Sequence, residues 1–386
     1  MKKALTIILS LAVGAALGLL IGSLGRSSAS NDASAMSIII ETAAGLVALF
    51  IAAYLQIVLH EAGHLVCGLA SGYRFVSFRI MSLTLIKDGK GKLWFKRFKL
   101  AGTGGQCLMA PPANVAPNDM PTALFNAGGA LSNLLWATLA LLALLYCSNM
   151  SSFFKYFLAS TMVVGYAFAL LNGIPLKMGG ISNDGHNLLY LKRNEQSVKG
   201  FYTQLVVNEK LQNGTRLSSM PEELFNLGGD IDYSDPMQAN VEILRLQRMI
   251  DKGEFIAVHN LLKELNFSHG QEMLQLYRLE MQSDMLFTSL VTGDFERAKS
   301  LSRNKLLMSY ITKHAQVMTS KQRVLMAKAL ILDGNRTEAQ TIYDKVVSKR
   351  DDYLMQGEVE SDIELMKQLL DRENLTKIKQ KPQINN

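Results

Sequence analysis

Four apolar stretches, each at least as long as a bilayer is thick, restrict this chain more than any other feature. They run from Ala4 to about Leu24, from about Ser37 to Leu69, from about Thr122 to Cys147, and from about Phe153 to Ile174. About 20 apolar residues in helical form cross a hydrocarbon core, where only a helix can satisfy its own backbone within one segment. The 386-residue chain is 48% hydrophobic overall, but this average joins two unlike halves. Before about residue 190 long uncharged runs prevail, and after it charged residues and helix formers do. The expected fold class is therefore an α-helical membrane protein. It has about four transmembrane helices and a small cytoplasmic β-hairpin, followed by an all-α helical-repeat cytoplasmic domain.

Charge gives the expected orientation. Lys2 and Lys3 precede the first run, which at about 20 residues exceeds the apolar core of a signal peptide. It reads as an uncleaved span with its N-terminus in the cytoplasm. Residues 73–100 carry eight Lys/Arg and one acid, Asp88, a bias that belongs on the cytoplasmic side. In this segment, alternating residues flank an Asp88-Gly89 turn and predict a hairpin formed from 73–80 and 93–99. Its aromatic residues suit the membrane interface as well as an ordinary soluble hairpin. Gly102 to Pro121 reads as a Gly/Pro loop. Four spans place both termini in the cytoplasm. The net charge of +7 needs no nucleic acid, because much of it lies beside the apolar runs. Three cysteines, Cys67, Cys107 and Cys147, without a CxxC pair exclude a disulfide framework or a thiolate zinc cluster.

Near the inner end of the second run stands Leu59-His60-Glu61-Ala62-Gly63-His64-Leu65. On a helix, positions i and i+4 share a face, so His60 and His64 can bind one metal ion, and Glu61 beside it can take a proton from an activated water. Ionisable groups at membrane depth are costly, and their presence points to function. Zinc in a catalytic site takes three protein ligands and keeps one position open. Asp184 and His186 compete for the third place, and Cys67 is a weaker candidate. Asn133 and Asn172 fall at a similar expected depth. They can donate to a polarised carbonyl oxygen, or serve interhelical hydrogen bonding.

In order, His60-Glu61-Ala62-Gly63-His64, Gly128-Gly129-Ala130-Leu131-Ser132-Asn133, Asn172-Gly173-Ile174-Pro175 and Asp184-Gly185 resemble the motifs of the site-2 protease family of intramembrane zinc metalloproteases. The resemblance covers roughly residues 37–190. It implies Zn2+ held by His60, His64 and Asp184, with Glu61 activating water. The implied substrate is a transmembrane or signal-peptide-derived segment of a membrane protein. Two departures stand out: eight residues separate Pro175 from Asp184, and Gly129-Ala130 lacks the family's proline.

In the C-terminal half, Gly253, Gly293 and Gly334 recur about 40 residues apart, each followed eight positions on by Leu261, Leu301 or Ile342. This pattern resembles tetratricopeptide-type helical hairpins with a longer period, and implies a surface for a cytoplasmic protein partner. The expected boundaries are 1–36 for the first span and outer loop, 37–192 for the metalloprotease core, 193–376 for the helical domain and 377–386 for a disordered tail. A non-catalytic membrane adaptor is the alternative function, but a structural metal site has no use for Glu61. A transporter is disfavoured by four spans without an internal repeat.

Overall fold

The computed structural model describes residues 35–98, 104–178, 181–191 and 194–380, together with Gly18. Apart from Gly18, the expected first span lies outside the described residues. The structure is mostly helical, at 71%, with a small antiparallel sheet of four strands. It divides into two compact units, one of residues 1–81 and 102–195, the other of residues 82–101 and 196–386.

The first unit is built on three long helices, α1 (Ala35–Ala70), α2 (Thr122–Tyr146) and α3 (Ser152–Gly173), which pack pairwise on one another. All three are long and apolar enough to cross a membrane. Large apolar side chains point outward along them, Ile39, Phe50 and Leu145 being more than 60% exposed. Such a surface calls for an apolar covering. The inward faces are small, so the helices meet at close range. A Cβ built on Gly63 would lie 2.2 Å from the Gly128 carbonyl oxygen, and one on Gly128 would lie 2.5 Å from that of Gly63. Close approach through small residues is the packing mode of helices that gain little from burying apolar surface. A short helix, α4 (Asp184–Tyr190), closes the end of this bundle against α2 and α3.

Strands β1 (Arg74–Ile80), β2 (Leu83–Lys87), β3 (Leu93–Arg97) and β4 (Gly105–Ala110) follow α1 in the chain. The sequence pattern predicted one hairpin, of 73–80 with 93–99, and the pairing is different. β3 pairs with β2, Leu83 opposite Arg97 and Lys87 opposite Leu93, around the Asp88-Gly89 turn. β1 pairs instead with β4, Arg74 opposite Ala110 and Ile80 opposite Gly105. Met81, between β1 and β2, takes a positive φ of 53°. No glycine or asparagine marks that reversal, and the glycines beside β4 disguised a strand as a loop. Two very short strands, β5 (Lys177–Met178) and β6 (Ile181–Ser182), lead into α4.

The second unit is carried by helices α5 (Glu195–Gln212), α6 (Pro236–Asp251), α7 (Phe255–Ser268), α8 (Gln275–Thr292), α9 (Phe295–Arg303), α10 (Lys305–His314), α11 (Thr319–Ala327), α12 (Arg336–Ser348) and α13 (Gln356–Gln380). Here the helices are amphipathic, and a core around Ile250, Leu262, Phe287, Met326 and Met366 is sealed from solvent. The three recurring glycines fall at the turns before α7, α9 and α12, with φ of 80°, 84° and 63°. A left-handed residue there lets each helix pair fold back without a Cβ penalty. Leu301 is buried in the core, while Leu261 and Ile342 pack against it. α13 extends to Gln380, beyond residue 376 where the helical region was expected to end.

Candidate metal centre

His60 and His64 sit one turn apart on α1, and Asp184 opens α4, far along the chain. Their ligand atoms nonetheless form a nearly equilateral triangle. His60 Nε2 and His64 Nε2 are 3.2 Å apart, and Asp184 Oδ2 lies 3.1 Å from the first and 3.3 Å from the second. Among the described residues, these three are the histidine, cysteine and acidic groups whose ligand atoms converge in a way that can hold a metal ion.

The far side of each imidazole fixes its tautomer. His64 Nδ1 is 2.8 Å from the Phe125 carbonyl oxygen, which can only accept, so that nitrogen carries the hydrogen. His60 Nδ1 is 2.7 Å from Asn133 Oδ1. Asn133 directs its amide nitrogen to Gln56, 2.9 Å from the carbonyl oxygen and 2.6 Å from Oε1. Gln56 in turn donates to the Thr161 carbonyl oxygen at 3.1 Å. Both Gln56 and Asn133 are fully buried. This relay crosses α1, α2 and α3 and leaves His60 Nδ1 as a donor. Each Nε2 therefore presents a lone pair, and both lone pairs face a carboxylate oxygen. Three electron-rich atoms so close repel one another unless a cation joins them.

Glycines make the space. A Cβ on Gly129 would stand 2.4 Å from His60 Cε1 and 2.5 Å from His64 Nε2. A Cβ on Gly185 would stand 2.2 Å from the Gly173 carbonyl oxygen, so only glycine lets α4 approach the end of α3 this closely. Asn183 secures the approach. Its side chain donates to the Leu171 and Ile174 carbonyl oxygens, at 2.6 and 2.7 Å, and accepts from the Leu176 and His186 backbone, at 3.0 and 2.9 Å. Burial alone pushes the Asp184 carboxyl up. Protons on the two Nε2 atoms would reverse this and hold it well below the usual carboxylate range, through the positive charge that a bound cation would otherwise supply.

Glu61 lies beside the triangle. Its carboxylate packs on Gly105 of β4 and takes a hydrogen bond from the Cys107 backbone. Arg79 of β1 is 2% exposed, and its charge interacts with that of Glu61. Burial pushes the Cys107 thiol up to about 12, so it remains protonated and a poor ligand.

The remaining sequence candidates fall elsewhere. His186, the rival third ligand, is outside the triangle and lies against Tyr190, ring centroids 5.1 Å apart. Cys67 packs at Gly128. Asn172 donates to the Phe168 carbonyl oxygen of its own helix, at 3.0 Å. Asn133, read either as a donor to a polarised carbonyl or as an interhelical hydrogen-bonding residue, takes the second role, its amide nitrogen donating to Gln56 of α1. Sequence reasoning missed Gln56, Arg79 and Asn183. A lone amide one turn before His60 was the available signal for Gln56, and an Asn-Asp pair before a short helix was the signal for Asn183.

No known family, curated protein or solved structure matches this chain.

Proposed function

We propose that this chain is a zinc-dependent intramembrane endopeptidase of the site-2 protease kind. The observation that supports it is the convergence of two imidazole lone pairs and a carboxylate oxygen, with Glu61 alongside. Ligand atoms around a tetrahedral zinc, each about 2.0–2.1 Å from the metal, stand about 3.3 Å apart. The spacings of 3.1, 3.2 and 3.3 Å match that value, and three ligands leave a fourth position for substrate or water.

When bound, zinc supplies Lewis acidity, which acidifies a water and polarises a carbonyl. The chain's own residues do the rest. Glu61 accepts a proton from the attacking water as its oxygen adds to the peptide carbon. The C–N bond then breaks, and Glu61 returns the proton to the departing amine. Asn133 and Gln56 hold His60 in the ligating tautomer. The proposed substrate is a membrane-spanning or signal-peptide-derived segment in the cell membrane. β4 ends its sheet, and Glu61 meets it at Gly105 and Cys107, so an extended peptide alongside β4 would pass the carboxylate. The helical unit is the candidate surface for a protein partner.

Glu61→Gln tests the reading. The variant should bind zinc like the parent and lose peptide hydrolysis by roughly 10²–10⁴-fold, the range of a general base. Unchanged cleavage with zinc retained would remove the mechanism. A non-catalytic adaptor would keep partner binding through the helical unit and show no cleavage in either form.

A further inference from the structure

Glu61 follows His60 on α1, and its own helix does little to aim it. Successive residues on a helix are turned by about 100°, so Glu61 leaves α1 to one side of His60 and His64. A free glutamate side chain rotates about several bonds, and fixing it costs conformational entropy. Strand β4 does the fixing. A Cβ built on Gly105 would stand 2.5 Å from Glu61 Cγ, 2.7 Å from Oε1 and 2.9 Å from Cδ, so the strand backbone lies against the whole end of the side chain. Any residue but glycine at 105 would push the carboxylate out of this seat.

The strand also supplies a hydrogen bond. β4 is an edge strand, paired on one side only, with β1. The Gly104 carbonyl oxygen accepts from the Met81 N–H at 2.8 Å. Backbone groups alternate in direction along an antiparallel strand, so those of Gln106 turn toward β1 as those of Gly104 do, and those of Gly105 and Cys107 turn to the free edge. There the Cys107 N–H donates to the Glu61 carboxylate. That N–H has no place in the ladder with β1, and a bond to a carboxylate is among the stronger ones a backbone donor makes. Gly105 gives the carboxylate room, and Cys107 gives it a direction.

We infer that Gly105 and the backbone N–H of Cys107 are the positioning groups of the proposed general base, holding the Glu61 carboxylate beside the metal-ligand triangle. This inference rests on the protease reading above. It extends the proposed machinery from α1, which carries the base, to β4, which aims it, on the same free edge where the proposed peptide would run.

The test uses the full chain loaded with cobalt, whose visible absorption reports ligand binding, and two probes. Acetohydroxamic acid gives up its hydroxyl proton on binding a metal, and an adjacent carboxylate can take it. Azide has no proton to give. Glu61→Gln should weaken acetohydroxamate binding and spare azide binding. Gly105→Ala should do the same, by about tenfold or more, the scale of one hydrogen bond to a charged group. So should Cys107→Pro, judged against Cys107→Ala, which keeps the N–H; proline costs no ladder bond where the N–H faces the free edge. Cobalt content should stay parental in each. In the Glu61→Gln background neither strand change should weaken acetohydroxamate further, because both act through Glu61. Parental acetohydroxamate affinity in the two strand variants, equal loss for both probes, added loss in the Glu61→Gln background, or loss of cobalt from both strand variants would overturn the positioning role and leave the protease reading standing. Failure of the parent to load metal, or an acetohydroxamate affinity indifferent to Glu61→Gln, would overturn the protease reading with it.

Discussion

Asn133 Oδ1 stands 2.7 Å from His60 Nδ1, and through this contact a buried amide on one helix decides which imidazole nitrogen on another is left for a metal. Asn133 is itself oriented by Gln56, so the two act in series. Partners that orient a ligating histidine commonly contribute about 10–100-fold in metal affinity or activity. Asn133→Leu should weaken zinc binding within that range, measured by competition with a chelator. Gln56→Leu should do so to a smaller degree, because Asn133 keeps its contact with His60. The double variant should lose little more than Asn133→Leu. Full additivity of the two losses would show that they do not act through one path.

Asp184 and His186 are two residues apart, and the sequence alone left the third ligand open between them. The structure brings only Asp184 to the imidazoles. Asp184→Ala should reduce zinc content of the purified chain to near background, and His186→Ala should leave it near the parental value. The opposite pattern, measured by elemental analysis, would move the third ligand to His186.

Gly129 faces the imidazoles so closely that a methyl group has no place. Gly129→Ala puts a carbon within about 2.5 Å of both rings, a distance that forces α1 and α2 apart or tilts the histidines. Loss of zinc binding is expected. Gly173→Ala is the control, because its added carbon would meet Ala130 at an ordinary 3.6 Å. Equal zinc content in the two variants would show that the close approach at Gly129 does not matter.

Much of this was legible in the residues. The apolar runs from Ser37, Thr122 and Phe153 each became a long helix because nothing in them competes with backbone hydrogen bonding inside the segment. His60 and His64 fell on one helix face because their spacing leaves no alternative. The third candidate ligand, Asp184, was harder to read. It depends on how far α4 closes on α3, which Gly185 and Asn183 set through contacts that no local pattern records. The sheet was misread for a related reason. β1 and β4 are joined in register across an intervening hairpin, and only the hairpin carries a turn signal at Asp88-Gly89. Gln56 looked incidental in an apolar run, since its importance lies in two partners distant in sequence, Asn133 and Thr161.

The helical unit carries an ionic cluster that makes its own prediction. Arg323, 5% exposed, pairs with Asp362 at 2.7 Å and with Asp284 at 3.2 Å, while Lys321 pairs with Glu280 at 2.6 Å. Three carboxyl groups thus share two cations in a dry interior, and the cluster is neutral only with one proton bound. Burial pushes Asp362 up to about 7 against the opposing pull of Arg323, and Glu358 nearby adds to the rise. A carboxyl whose folded value is raised stabilises the fold below its ordinary value, near 4, and loses that contribution as pH climbs through about 7. The difference corresponds to at most about 4 kcal/mol. Hydrogen exchange of the full chain, corrected for intrinsic rate, should therefore show α11 and α13 opening more readily at pH 8 than at pH 5. Asp362→Asn should flatten that dependence, since an amide keeps the hydrogen bond with Thr319 and carries no charge at either pH. Protection that is constant, or that increases toward pH 8, would mean that Arg323 keeps both aspartates ionised throughout.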